Sequence, residues 1–395
     1  MASHEMEMEP EPLPPSDRYT PDGDAAVEAR IDCDQQLIAA AIKDAVPTAH
    51  FRALVLIGGY ARGEGGFCHV DGKPAPYNDY DYFVVVGGMN HAAIQTLKST
   101  LLDLGHLLTA RVGVEVDLAV LKEEALPGAE YSLMHAEMLW GHKVVAGDAA
   151  ILDAMPPMPF AGLGLAEFTR LMLNRGSLLL MNRDALARGN CNEPQQREQF
   201  MKYLFKAILA CGDAQLAAIG QYHPSYSVKW QRLQNLQWYG NEGFMPQYEM
   251  ALDAKFYPAY EQYDTAKLAQ CLQQVTDLWL LTLACLESVR LGTHAGSWDE
   301  YASPAVCKGQ SAPGLRGLVR NVGVTVRDYG VRELLTNLRW SLRYPRERLI
   351  SALPGLLGEP GMVHDSQLAT ALGLTAVTGR QEMTRSYLQQ WHRYA

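Results

Sequence analysis

Residues 79–86 read DYDYFVVV. The closing FVVV is continuously apolar and mostly β-branched. That composition suits a strand covered on both faces and leaves little choice of local structure. Side chains alternate along a strand, so Asp79 and Asp81, at i and i+2, share one face. Two carboxylates side by side at the head of a buried strand repel each other unless a cation lies between them. An isolated acid–x–acid pair is most often ordinary solvated surface. What surrounds this one makes it informative.

Upstream, residues 51–57 read as a strand that Gly58 and Gly59 break, followed by a short helix over 60–65. Residues 67–78 hold Gly72, Pro74, Pro76 and Asn78, a loop signature with hairpin character. Downstream, residues 90–108 read as a helix with Leu97, Leu101, Leu104 and Leu108 on one face. Residues 112–121 form a third strand, carrying Asp117. Asp117 can reach the face of Asp79 and Asp81, and Glu115, two residues earlier, is the alternative third acid. Converging carboxylates call for a hard cation, Mg²⁺ first and Mn²⁺ as the alternative. Two such ions hold the attacking hydroxyl and the departing pyrophosphate of an in-line displacement. The glycine pair lets backbone approach a phosphate, and amide N–H groups at the next helix start attract the anion.

The string LIGGYARGEG…NDYDYFVVV…VEVDLAV resembles the nucleotidyltransferase superfamily with the polymerase-β-like fold. The motif order there is strand, GG or GS, short helix, acid–x–acid, then a third acid on a later strand. GGYARGE is similar to the wording of uridylyl- and adenylyltransferases that modify nitrogen-regulatory proteins. The resemblance covers about residues 50–150, and WGHKVVAGD resembles the short strand that often closes such a domain. One departure stands out. Gly59 and Asp79 are 20 positions apart, more than is usual in the family, and the excess falls in CHVDGKPAPY.

The resemblance implies an α+β fold: a small mixed sheet with flanking helices, then a large all-helical domain. It implies that Asp79 and Asp81 hold metal and triphosphate. Asp117 would complete the metal site and serve the acceptor hydroxyl, with Gly58, Gly59 and Arg62 at the nucleotide. In many members a helical-domain lysine meets the triphosphate, and a serine and an aromatic follow about twenty residues later. Lys202 and Lys206, one helix turn apart, and then Ser225 and Tyr226 match that spacing. The implied activity is Mg²⁺-dependent transfer of a nucleoside monophosphate, AMP from ATP before other nucleotides, to a hydroxyl acceptor with release of pyrophosphate. The acceptor is a small molecule, a protein or a nucleotide. The alternative is a non-catalytic nucleotide-sensing or partner-binding protein on the same fold.

The rest of the chain sets bounds. Residues 1–24, rich in Pro and acid, read as a disordered tail, 25–150 as the catalytic domain and 151–395 as the helical one. Helices are expected at 25–45, 163–187, 194–220, 226–239, 247–262, 264–292, 329–343 and 345–357, with a pair in 364–395. Seven scattered cysteines without a CxxC pair argue against zinc and against a disulfide framework, so a cytoplasmic setting is expected. No apolar run is long enough for a membrane span. The net charge of −10 disfavours a generic nucleic-acid binder. Yet residues 308–348 hold nine Lys/Arg against three acids, with Trp340 and Tyr344 among them. That is either a solvated face or a patch for an anionic partner.

Overall fold

The computed structural model describes residues 17–70, 72–236, 243–260, 263–292, 297–305, 308, 314–374 and 376–394. The chain divides into two compact units. Residues 1–158 with 256–258 form the first, and 159–255 with 259–395 the second. The fold is mixed α+β, with a small sheet and many helices.

In the first unit, helix α1 (Ala25–Ala45) begins where the Asp24 carboxylate accepts from the amides of Ala26 and Val27. Val27, Ile31, Ile38 and Ile42 form its buried stripe. Residues 17–22, assigned by composition to the tail, lie along it instead. Thr20 is fully buried, and the Glu28 carboxylate accepts from the amides of Tyr19 and Thr20. Residues 1–16 lie outside the described residues.

Strand β1 (Phe51–Ile57) is followed by α2 (Gly58–Ala61), a single turn shorter than expected. The stretch that spaces the glycines from the aspartates is a hairpin, β2 (Phe67–Val70) and β3 (Lys73–Pro76). Next come β4 (Tyr80–Val86), α3 (His91–Val112) and β5 (Val116–Lys122). The helix α3 outruns its expected end because Val112 still packs on its apolar face, and Gly113 at φ 86° stops it. Then come α4 (Leu133–Trp140) and β6 (Lys143–Gly147).

The sheet order is β5-β4-β1-β6. β1 pairs antiparallel with β4 and β6, and β4 pairs parallel with β5 through the α3 crossover. Leu54, Leu56, Tyr80, Tyr82, Val84 and Val116 pack with α1 and α3 in one core cluster. By alternation, Asp81 and Asp117 point to the opposite face.

The second unit is helical: α5 (Leu165–Ala187), α6 (Pro194–Ala218), α7 (Tyr226–Gln234), α8 (Phe244–Phe256), α9 (Thr265–Leu291) and α10 (Trp298–Ala302). It continues with α11 (Leu315–Tyr329), α12 (Val331–Thr336), α13 (Leu338–Ser341), α14 (Pro345–Leu357), α15 (Asp365–Ala371) and α16 (Arg380–Tyr394). The expected helix 329–343 is instead two short ones, because Gly330 at φ 85° and Asn337 interrupt it. The full-length helix there is α11, just upstream. In α14 every residue from Glu347 to Leu357 is buried, the signature of a helix enclosed all round. Among the described residues no helix is long and apolar enough to cross a membrane, and all six described cysteines are free.

Candidate functional site

The β4 alternation carries the chemistry. Tyr80 and Tyr82 turn inward, fully buried or nearly so. The Tyr80 hydroxyl donates to Asp34 Oδ2 at 3.1 Å and the Tyr82 hydroxyl to Gln35 Oε1 at 2.5 Å, which fastens β4 to α1. Burial, reinforced by nearby carboxylates, pushes both phenols up, so they stay protonated donors. Asp81 therefore faces the other way, and it and Asp79, just before the strand, are half-buried.

The register then gathers partners for Asp81. It lies opposite Ile57 on β1 and beside Asp117 on β5. Gly58, at φ 77°, follows Ile57 directly, and a Cβ there would meet Asp81 Oδ2 at 2.9 Å. Both the backbone conformation and the close carboxylate require glycine at this position. The glycine turn and the aspartate pair thus touch, although 20 positions separate Gly59 from Asp79.

Tyr60 on α2 makes that possible. Its hydroxyl accepts from the amides of Tyr77 and Asn78 at 2.9 and 3.1 Å and donates to the Gly66 carbonyl at 2.7 Å. Asn78 Oδ1 accepts from the Gly66 amide. Gly65 packs so closely on the Tyr60 ring that a Cβ would lie 2.0 Å from it. The hairpin is stapled at its base, and the residue before Asp79 is held whatever the length of the insertion. The sequence reading missed Tyr60. Its one signal is position, immediately after the two glycines.

Asp117 is exposed and in register with Asp81. Glu115, the alternative acid, precedes β5, and its backbone carbonyl accepts from the Tyr80 amide. Arg62 is turned toward acids, its guanidinium 3.7 Å from Glu64 and 3.5 Å from Glu137. Among the described residues, no three His, Cys, Asp or Glu side chains are gathered as a ready ligand set. The donor chemistry nevertheless suits a hard cation such as Mg²⁺: carboxylates in register on neighbouring strands, one of them against Gly58.

In the second unit, Lys202 and Lys206 are half-buried, one turn apart on α6. Ser225 is the residue before α7. Its amide donates to His223 Nδ1 at 3.0 Å, and its hydroxyl lies 2.8 Å from that of Ser227. The Tyr226 ring borders two ammonium groups, with Lys229 and Lys255 at 4.5 and 4.9 Å from its centroid. Lys229 is buried and pairs with Asp213 at 2.6 Å. Burial, then the nearby Arg232 and Lys229 charges, pulls His223 down to about 4 and keeps it neutral.

The basic stretch is less uniform than its sequence. Lys308 and Arg348 are fully buried. Trp340 is buried under Arg348, and Arg320 covers Tyr344 at 5.0 Å. Those aromatics are already engaged within the fold.

Compared with known proteins, the chain matches no family model, no curated protein and no solved structure.

Proposed function

We propose that the chain is a nucleotidyltransferase of the polymerase-β-like type. It would transfer a nucleoside monophosphate, AMP from ATP in the first instance, to a hydroxyl acceptor. The observation that carries this reading is the register that sets Asp81 beside Asp117 while Asp81 touches Gly58. The sheet order supports it as well: an antiparallel β1–β4 pair holds the glycine turn against the aspartates, and a parallel β5 adds a third acid.

Asp79, Asp81 and Asp117 would hold Mg²⁺, or Mn²⁺ in its place. Bound there, the metal would offset triphosphate charge and make the acceptor hydroxyl easier to deprotonate. By the resemblance, Gly58 and Gly59 would let the backbone itself approach the phosphates. The acceptor oxygen attacks the α-phosphorus, the bond to the bridging oxygen breaks, and pyrophosphate leaves. An Asp117 carboxylate oxygen takes the hydroxyl proton. By the resemblance alone, Lys202 and Lys206 would be the ammonium groups for the triphosphate, and Ser225 and Tyr226 the groups for phosphate and base. Arg62 would have to leave Glu64 and Glu137 to reach a phosphate.

The test is incorporation of label from α-labelled nucleotide with Mg²⁺ or Mn²⁺. Wild type should turn over and Asp79→Ala with Asp81→Ala should not. A wild type that turns over no nucleotide sinks the enzyme reading. Calorimetric nucleotide binding without product would leave a nucleotide sensor.

A further inference from the structure

Helix α11 is inverted relative to an ordinary surface helix. Its buried positions include two polar residues, Asn321 and Thr325. Their side chains donate to the backbone carbonyls of Leu342 and Ser341. Its exposed positions are shared between aliphatics and arginines. Leu315, Val319 and Val326 on α11 are exposed, as are Val331, Leu335 and Leu338 just beyond it, with Leu315 and Leu335 reaching 79%. Single exposed aliphatics need no explanation, but six within one short stretch do.

Arginine accompanies them in a regular way. Arg316, Arg320, Arg327, Arg332 and Arg339 each directly follow one of these aliphatics, and all five are exposed. At 3.6 residues per turn, Leu315, Val319, Val322 and Val326 fall within about 60° of helix circumference, and the α11 arginines form a parallel row beside them. The two acids of the stretch are paired within the fold, one of them to Arg327 of the row itself. Asp328 is held by Arg327, Arg393 and Tyr394, and Glu333 pairs with Arg348 at 2.8 Å. Gly323 lies between the two rows. A Cβ there would meet nothing within 4 Å, so the fold itself does not require glycine. A mid-helix glycine costs about 0.5–1 kcal/mol relative to alanine, and its absent side chain leaves a gap between Val319 and Val326.

We infer that this face of α11 docks an acidic amphipathic helix of a partner protein. Partner aliphatics would seat around Gly323, with Asp or Glu opposite the arginine row. A stripe this narrow is a helix–helix seam, whereas a helix lying on lipid needs a broader apolar face. Exposed valines and leucines offer nucleic-acid bases no platform, because Trp340 and Tyr344 are engaged within the fold. A second copy of the same face would set arginine against arginine.

The probe is a fluorescein-labelled, Glu-rich peptide of about 18 residues with leucines at i, i+4, i+7 and i+11. Anisotropy against the full chain should show binding. Val319→Asn with Val326→Asn should weaken it by about tenfold or more, and Arg316→Glu with Arg320→Glu should weaken it most at low salt. Gly323→Leu should abolish docking without lowering the melting temperature, an outcome that a purely structural role would not give. Equal peptide affinity in wild type and variants overturns the inference. So does loss, in these variants, of binding to anionic vesicles or single-stranded RNA when the peptide itself does not bind. Self-association through this face, seen by sedimentation, overturns it too.

Discussion

The two units bury polar groups in different ways. In the sheet unit, β4 has two distinct faces. Its inward phenols are satisfied by Asp34 and Gln35 of α1, and its aspartates remain outside the core. In the helical unit, several charges lie inside, on helices with exposed faces as well as on the enclosed α14, and each is paired there. Arg348, fully buried, pairs with Glu333 and lies over the rings of Tyr329 and Trp340. Lys229 pairs with Asp213, and Glu287, also fully buried, holds Arg290 and Thr169. A period of two separates chemistry from core on a single strand. A charge buried on a helix needs a partner there.

The largest expected effect comes from breaking a helical-unit pair. Arg348→Met removes one partner and leaves Glu333 uncompensated, a loss of about 3–5 kcal/mol read from the urea midpoint. A small loss would mean that Glu333 reaches solvent, and the contrast between the units would weaken.

Next in size is Tyr60→Phe in the sheet unit. It strips two backbone amides of their acceptor and should cost about 1–3 kcal/mol, measured by thermal or chemical unfolding. If the proposed activity holds, turnover should fall further than stability, because the residue before Asp79 loses its anchor. Unchanged turnover would show that the β-pairing alone fixes the aspartates.

A pH titration separates the units without breaking a pair. His223 is held neutral, its pKa lowered from the ordinary 6.5 to about 4. As pH falls through that window the unfolded chain takes up the proton first. The His223 contribution is therefore complete above 6.5, shrinks on acidification, and is gone below about 4. His223→Gln, which keeps an acceptor for the Ser225 amide, should flatten the acid limb of the stability profile.

The smallest effect is a gain. Gly323→Ala should stabilise the chain by about 0.5–1 kcal/mol, since no neighbour obstructs the added methyl. A loss would mean that α11 needs glycine for its own packing.

Much of the sheet unit was legible in the sequence. The apolar FVVV run and the glycine break at Gly58 marked the ends of β4 and β1, and the Asp–Tyr alternation marked the two faces. Local periodicity records these things directly. The hairpin was legible only as loop signals, and Tyr60 not at all, because its role rests on hydrogen bonds to residues 17 and 18 positions away. In the helical unit, most helices showed in their spacing. Burial of Lys229, Lys308 and Arg348 did not, since a lysine or arginine in sequence looks the same whether solvated or enclosed. The apolar–arginine alternation of α11 was present in the sequence, but no helix was expected at 315–329, and the basic stretch read as either a solvated face or a patch for an anionic partner. Which side faces inward was decided by Asn321 and Thr325 finding backbone carbonyls in Leu342 and Ser341. By itself, then, the sequence determined the strands, the glycine turn and the shared face of the aspartates, all consequences of local geometry. Only the tertiary structure decided that Asp81 meets both Gly58 and Asp117, and which charges lie inside, because strand register and helix enclosure depend on partners distant in the chain.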